Sequence, residues 1–424
     1  MTKHSNLKTF LAPISLMGAV LAAPAAAQEI PTCQFTLKDA NVFTGDGFET
    51  RDVSIDGRRF VSEHPVGAPE IEAGWMYIIP PLVDAHTHTL DEVMRPGSSV
   101  HRGFLDRGIY YALNPNSILR DDDAALPLAP DQVEMAYTGG GITGPGGHPR
   151  PLYEGLVRAR IYREITVEEL PGRAYHEAAT AEDVRAAVRA VAATRATAVK
   201  LMLYDHKSPD TKALDGERFR AAVDEAKKLG LRPMVHVEFA ADARLAFELG
   251  VAAIVHMPGH AGARRDLIDA YRLTAEDAAI AARNNVAVVP TVAIAFNGAS
   301  GQALKDAQEL QAYNLKLLRD AGVVIGAGSD RYSADALDEL DLLRATGLFE
   351  GPELLRIGTE NGIKIAFGED RKAGRIESGY EASFIALRSD PSTDWYTLRN
   401  PLAGFRAGQQ IEQSRMFTQA CTAN

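Results

Sequence analysis

Pro233-Met234-Val235-His236-Val237 and Ala252-Ala253-Ile254-Val255-His256 are two short apolar runs, separated by residues 240–249, which read as a helix, and by Gly250. An apolar run of about five residues bounded by turn signals suits a strand buried on both faces, and a helix between two such strands suits a parallel pair. Outward from this unit the same alternation continues. Residues 198–203, 286–289 and 323–327 read as further strands, and residues 181–194, 216–229, 275–283 and 302–320 as helices. Gly230, Gly250 and Gly322 each stand between a helix and the next strand, where a helix C-terminus favours glycine. Strand and helix alternating over about 250 residues predicts an α/β fold with a parallel sheet, most simply a TIM-type (β/α)8 barrel.

The flanks differ in texture. Residues 35–79 read as short strands joined by turns, with Asp56-Gly57 as a hairpin signal, and Ser383-Phe384-Ile385-Ala386-Leu387 near the other end repeats the pattern. Residues 1–27 read as a secretory signal peptide: Lys3 and Lys8, a mostly apolar stretch from Phe10 to Pro24, then Ala25-Ala26-Ala27. The stretch is too short to span a bilayer and contains Pro13. Export, to a periplasm or beyond the cell, is the expectation, with no membrane span left in the mature chain. The formal net charge is −11 without basic runs, which argues against nucleic acid or anionic lipid as a partner. A small-molecule substrate is expected, and self-association stays open.

In parallel barrels chemistry collects where strands end, so the polar residues at strand ends form the search list. Trp75-Met76-Tyr77-Ile78-Ile79-Pro80-Pro81-Leu82-Val83 reads as strand and runs into Asp84-Ala85-His86-Thr87-His88. Residues i and i+2 of a strand share a face, so His86 and His88 project together, half of a transition-metal site. Lys200 is flanked by apolar residues inside Ala198-Val199-Lys200-Leu201-Met202-Leu203. His236 and His256 end the two runs quoted first, and Asp330 follows residues 323–329. Singly, each has an ordinary reading: a hydrogen-bonded core histidine, a lysine snorkelling to the surface, an aspartate capping a helix. Jointly they point into one mouth.

These residues resemble the metal-dependent amidohydrolase superfamily, in its imidazolonepropionase- and prolidase-like branch. Pro80 to His88 looks like the strand-1 signature. Thr359-Glu360-Asn361-Gly362 through Phe367-Gly368 looks like the helical stretch after strand 8, and Gly374-Arg375-Ile376-Glu377-Ser378-Gly379-Tyr380-Glu381-Ala382 like the return into a small β-domain. The resemblance implies a small β-sandwich from both chain ends, residues 28–80 and 369–424, around a hydrolase barrel of residues 81–368. Such a module would bring Cys33 and Cys421 together as a disulfide; two unrelated buried thiols are the alternative. By position, His86, His88, Lys200 and Asp330 would bind one divalent ion and Lys200, His236 and His256 a second, with Lys200 carried as a bridging N-carboxylate. Zinc is the default for so nitrogen-rich a set. Asp330 would be the catalytic acid–base.

The implied reaction is hydrolysis of an amide, in a dipeptide or an N-acyl amino acid. A mononuclear amidohydrolase or lactonase acting on a cyclic substrate, and a non-catalytic periplasmic binding protein, are the alternatives. Deamination fits less well, because Glu238 stands two positions after His236, where the deaminases resembled place a glutamate three positions on, and position 239 is Phe239. For substrate contacts, His148 closes the glycine-rich segment 138–149, Tyr204 and His206 follow strand 4, and His260 follows strand 6. No arginine is singled out as a carboxylate clamp, and His64, His101 and His176 are expected to be solvated.

Overall fold

The expected alternation appears as two parallel sheets. In the computed structural model, which describes residues 32–91, 98–119, 128–412, 417, 420 and 421, strands Leu82–Asp84, Ile109–Asn114 and Glu134–Tyr137 form a three-stranded parallel sheet. Tyr175–Glu177, Gly141–Thr143, Ala198–Met202, Arg232–His236, Ala253–Val255 and Ala287–Val289 form a six-stranded one. The signal-peptide segment lies outside the described residues.

Single hydrogen bonds rather than ladders join the two sheets. Residues 323–330 carry most of them: Val288 N donates to Val324 O (2.9 Å), Ala85 N to Ala327 O (2.7 Å) and Asp330 N to His86 O (2.9 Å). On the other side Thr197 N donates to Tyr137 O (3.1 Å). Residues 323–327, expected as a strand, pair only through an isolated bridge between Val288 and Ile325. The glycines explain the irregularity: a Cβ on Gly328 would lie 2.6 Å from His86 N, and one on Gly326 would lie 2.6 Å from the Ile365 side chain. Backbone approaches too closely there for a regular ladder of ordinary residues.

The helices fall where the pattern puts them, as Ala181–Ala192, Gly216–Lys228, Ala240–Glu248, Ala275–Arg283 and Gly301–Asp320. Thr180, Asp215 and Thr274 each accept a backbone N–H of the first turn with their side chains, satisfying donors a helix start leaves unpaired. Their apolar faces join one core with the strands, in which Val235, Ile254 and Phe247 are fully buried. Among the described residues no helix is long and apolar enough to cross a membrane.

Both chain ends enter one further sheet of eight strands. Its order runs Gln409–Glu412, Ala403–Arg406, Phe384–Leu387, Tyr77–Ile79, Gln34–Phe43, Phe48–Asp56, Arg59–Val61, with Glu70–Glu72 paired to Gln34–Phe43. Asp56 pairs with Arg59 across the expected Asp-Gly turn. Arg59 also bridges Glu381, so the edge strand folds back toward the segment leading into Phe384–Leu387. Phe35, Phe384, Phe405 and Phe417 pack together in a second apolar cluster. The Cys33–Cys421 disulfide closes this module across 388 positions of sequence. Tyr77–Ile79 belongs to the end sheet and Leu82–Asp84 to the parallel one, so the segment carrying His86 and His88 is anchored from both sides.

Candidate metal centre

His86 and His88 lie just beyond strand Leu82–Asp84, held between two neighbours: Thr87 N donates to Leu113 O (3.0 Å), and His86 O accepts from Asp330 N (2.9 Å). Asp84, fully buried, accepts from His86 N (3.1 Å), Ser329 N (3.3 Å) and Ser329 Oγ (3.2 Å), tying the strand-1 end to the loop that presents Asp330. Lys200 is buried within its strand, His236 ends the next, and His256 follows Ala253–Val255. His256 (φ 88) and Asp330 (φ 50) both adopt positive φ. Side-chain-bearing residues seldom do so without tertiary support, and such positions concentrate at functional sites.

Asp330 Oδ1 stands 3.1 Å from His86 Nε2 and 3.4 Å from His88 Nε2, and Oδ2 stands 3.6 Å from His256 Nδ1. The His88 tautomer follows from its neighbour. Asn114 donates its amide N–H to Asp91 (3.1 Å), which leaves Asn114 Oδ1 to accept from His88 Nδ1 (2.8 Å). With the proton on Nδ1, His88 Nε2 turns a lone pair toward a carboxylate oxygen. Among the described residues, neither ring nitrogen of buried His86 has a hydrogen-bond partner of acceptable geometry. Lone pairs facing one another across such distances call for a cation between them, and this donor chemistry fits a divalent metal.

Burial drives the local protonation states. It pushes His86 down from 6.5 to about 4, and His236 and His256 well below their ordinary value. It also lowers Lys200 from 10.5 to about 7. Burial alone would raise Asp330, but the imidazoles of His86, His88 and His256 beside it outweigh burial and hold it well below the usual carboxylate range. Neutral imidazoles around an ionised carboxylate are the states in which these groups ligate.

A pH dependence follows for the metal-free protein. Between pH 4 and 6.5 the unfolded chain carries a proton on His86 that the folded chain does not. Stability is therefore complete above 6.5 and is lost as pH falls through that window. The unfolding free energy of chelator-treated protein should drop by on the order of 1 kcal/mol per pH unit from this group, with His236 and His256 adding in the same direction. His86→Asn should flatten the slope in thermal unfolding, and an unchanged slope would place the titration elsewhere.

Two donor groups emerge, each with ligand atoms mutually within 4.8 Å: His86, His88 and Asp330, and His236, His256 and His260. The second holds His260, which the sequence alone places among the substrate contacts. All six, with Lys200, line one cavity of about 600 Å³. His148 lines the same cavity from its rim, its ring 5.2 Å from that of His236. Tyr204 lines an adjoining cavity of about 360 Å³ that shares His148, Met202 and His236 with the first.

His206 lines neither cavity. Its ring Nδ1 lies 2.6 Å from Asp242 Oδ1, and Asp242 also accepts from the backbone N–H groups of Asp205, His206 and Phe239. That buried carboxylate captures His206 to pin the strand-4 loop against helix Ala240–Glu248. His101 and His176, expected to be solvated, are half-buried, and Val133 N donates to His101 Nδ1 (3.1 Å). His64 is exposed.

Sequence reading passes over several contributors. Asn114 orients His88, and Thr291 Oγ1 lies 2.9 Å from His256 Nδ1. Asn116 and Arg331 line the main cavity. The strand-end rule reaches Asn114, which ends Ile109–Asn114, and Thr291, which follows Ala287–Val289, once it is applied to amide and hydroxyl side chains as well as to metal donors.

The amidohydrolase family model matches residues 77–411. Solved structures show a like fold. A Xaa-Pro dipeptidase with methionine bound in its active site is 19% identical, with a TM-score of 0.68, covering 90% of this chain and all (100%) of that one. The ochratoxinase of A. niger is 17% identical, with a TM-score of 0.66, covering 90% and 96%. Molinate hydrolase is 15% identical, with a TM-score of 0.65, covering 93% and 99%. At these identities the likeness concerns the fold. No curated protein matches the sequence.

Proposed function

The chain belongs to the amidohydrolase family, and from that premise we propose that it is an exported enzyme hydrolysing the amide bond of a dipeptide or an N-acyl amino acid at a two-metal centre. That it is a metal-dependent hydrolase of carbon–nitrogen bonds follows from the family. The observation that carries the finer reading is Asp330, an ionised carboxylate 3.1 and 3.4 Å from two imidazole nitrogens, at the wall of a cavity large enough for a small amide. On the same footing we read the two parallel sheets as one (β/α)8 barrel and the folded-back end sheet as a small β-sandwich.

His86, His88 and Asp330 would hold one ion and His236 and His256 the other, with Lys200 reaching both; nitrogen-rich donors favour zinc. Bound divalent ions would supply a hydroxide near neutral pH and polarise the substrate carbonyl. Asp330 takes the proton of the attacking water and delivers it to the departing nitrogen, so the amine leaves neutral. In this reading His148 at the rim and Tyr204 in the adjoining cavity would contact the substrate. Lys200, brought to about 7 by burial, offers a free amine that can add carbon dioxide, releasing one proton and gaining two oxygens that share one negative charge. Residues 1–27 serve as the export signal in this reading, and the Cys33–Cys421 disulfide supports an oxidising destination.

The test is metal analysis and a hydrolysis screen of dipeptides, N-acyl amino acids and lactones, with Lys200→Ala alongside. The wild type should bind two ions per chain and cleave amides. Lys200→Ala should lose one ion and lower kcat by roughly 10³-fold, the scale of removing a group that organises charge in the transition state. A variant with both ions and full activity sinks the carboxylated-lysine reading, and cleavage of lactones alone sinks the amide reading.

A further inference from the structure

His260 sits in the turn after strand Ala253–Val255, and three contacts fix its place. His260 N donates to Met257 O (3.2 Å), Gly259 N donates to Glu238 O (2.9 Å), and Gln311 Nε2 donates to Pro258 O (3.1 Å). Gly259 has φ 79, and a Cβ there would lie 2.6 Å from Leu310 Cδ2, so the turn needs glycine at this point. The result is a histidine only 8% exposed whose ring stacks on His256 at 4.2 Å and lies 4.9 Å from His236.

Behind it stands Glu238, 2% exposed, with Oε2 2.9 Å from His260 Nδ1. Both atoms are buried, and although they lie this close, neither has a hydrogen-bond partner of acceptable geometry among the described residues. A carboxylate on one ring nitrogen leaves the other to face the cavity. Metal-bound histidines commonly show this arrangement, because the carboxylate fixes the tautomer and strengthens the donor. His256 is in the same situation, with Thr291 Oγ1 2.9 Å from its Nδ1. Three imidazoles offer ligand atoms mutually within 4.8 Å, with Thr291 Oγ1 beside His256 Nδ1 and Glu238 Oε2 beside His260 Nδ1, a donor set that a cation between them would satisfy.

Taking the two-metal reading as its basis, we infer that His260 is a third nitrogen ligand of the second ion, held in register by Glu238. The second site then has three histidine donors in addition to the bridge from Lys200. Glu238, two positions after His236 where no deaminase-type shuttle is expected, thereby has a task as a positioning residue.

Cobalt(II) titration of the metal-stripped protein tests this, read by visible absorption and metal stoichiometry, with affinity for the first equivalent as the internal control of fold. Wild type should bind two equivalents. His260→Ala and His260→Gln should keep the first equivalent unchanged, weaken the second by at least about 100-fold and alter its absorption bands. Glu238→Gln should weaken the second about 10- to 100-fold, the usual scale for a partner behind a ligand. If wild type binds two equivalents and the His260 variants match it in affinity and spectrum, this inference falls alone, and a raised KM in them would assign His260 to substrate. If wild type binds no second equivalent, the two-metal reading falls with it.

Discussion

The Asp330→Asn protein is expected to fold, to keep at least one metal ion, and to lose kcat by roughly 10³- to 10⁴-fold, the upper part of the range supplied by a positioned acid–base group. Asparagine is the informative replacement for a backbone reason. Asp330 has φ 50, a conformation that asparagine tolerates nearly as well as aspartate and that alanine adopts only with strain. The change therefore removes charge and proton affinity while leaving the loop in place. The backbone N–H at this position still donates to His86 O, and the amide oxygen of the replacement side chain can still approach His86 and His88. It cannot accept the proton of an attacking water at neutral pH. Steady-state kinetics with metal content measured in parallel decide the matter: kcat within tenfold of wild type at equal metal occupancy would show that Asp330 only ligates.

Much of this was legible because buried parallel strands advertise themselves. The runs around Val235 and Ile254 are apolar on both faces, and the glycines at 230, 250 and 322 mark where helices stop, so strand and helix limits agree with the observed ones to within about two residues. The strand expected at residues 323–327 was less legible, since Gly326 and Gly328 let the backbone press against Ile365 and His86 and dissolve the ladder that the apolar pattern implied. The site divides along the same line. Metal-type donors at strand ends announce themselves by residue type. His206 and His260 follow strands in the same way, yet one is claimed by Asp242 and the other by Glu238. Which histidine faces the cavity depends on where a distant carboxylate sits, and no local pattern encodes that. Arg331 shows the converse: passed over as a clamp in sequence, it lines the cavity because it follows a left-handed Asp330.

Loss of the Cys33–Cys421 disulfide is expected to destabilise the protein by about 5 kcal/mol, near the upper end for such bonds. The bond closes a loop of 388 positions, and in the chain-entropy account the constraint on the unfolded chain grows with the logarithm of loop length, reaching about 6 kcal/mol at this size. Part of that is offset because the two ends are already held by the sheet. Cys33 is buried, its backbone N–H donates to Gly408 O (2.7 Å), and Phe417 packs on Phe35 and Phe405. Denaturant unfolding of Cys33→Ser/Cys421→Ser, set beside reduced wild type, measures the difference, and a loss below about 1 kcal/mol would mean that the sheet alone holds the ends. The sheet also reaches the chemistry, since Tyr77–Ile79 hands the chain to Leu82–Asp84 and so to His86 and His88. Fraying that begins at the chain ends must travel through that connection before it reaches His86 and His88. In partial denaturant the serine variant should therefore become protease-sensitive in residues 32–61 before it loses metal, and simultaneous loss of both would show that the end sheet and the metal centre unfold as one unit.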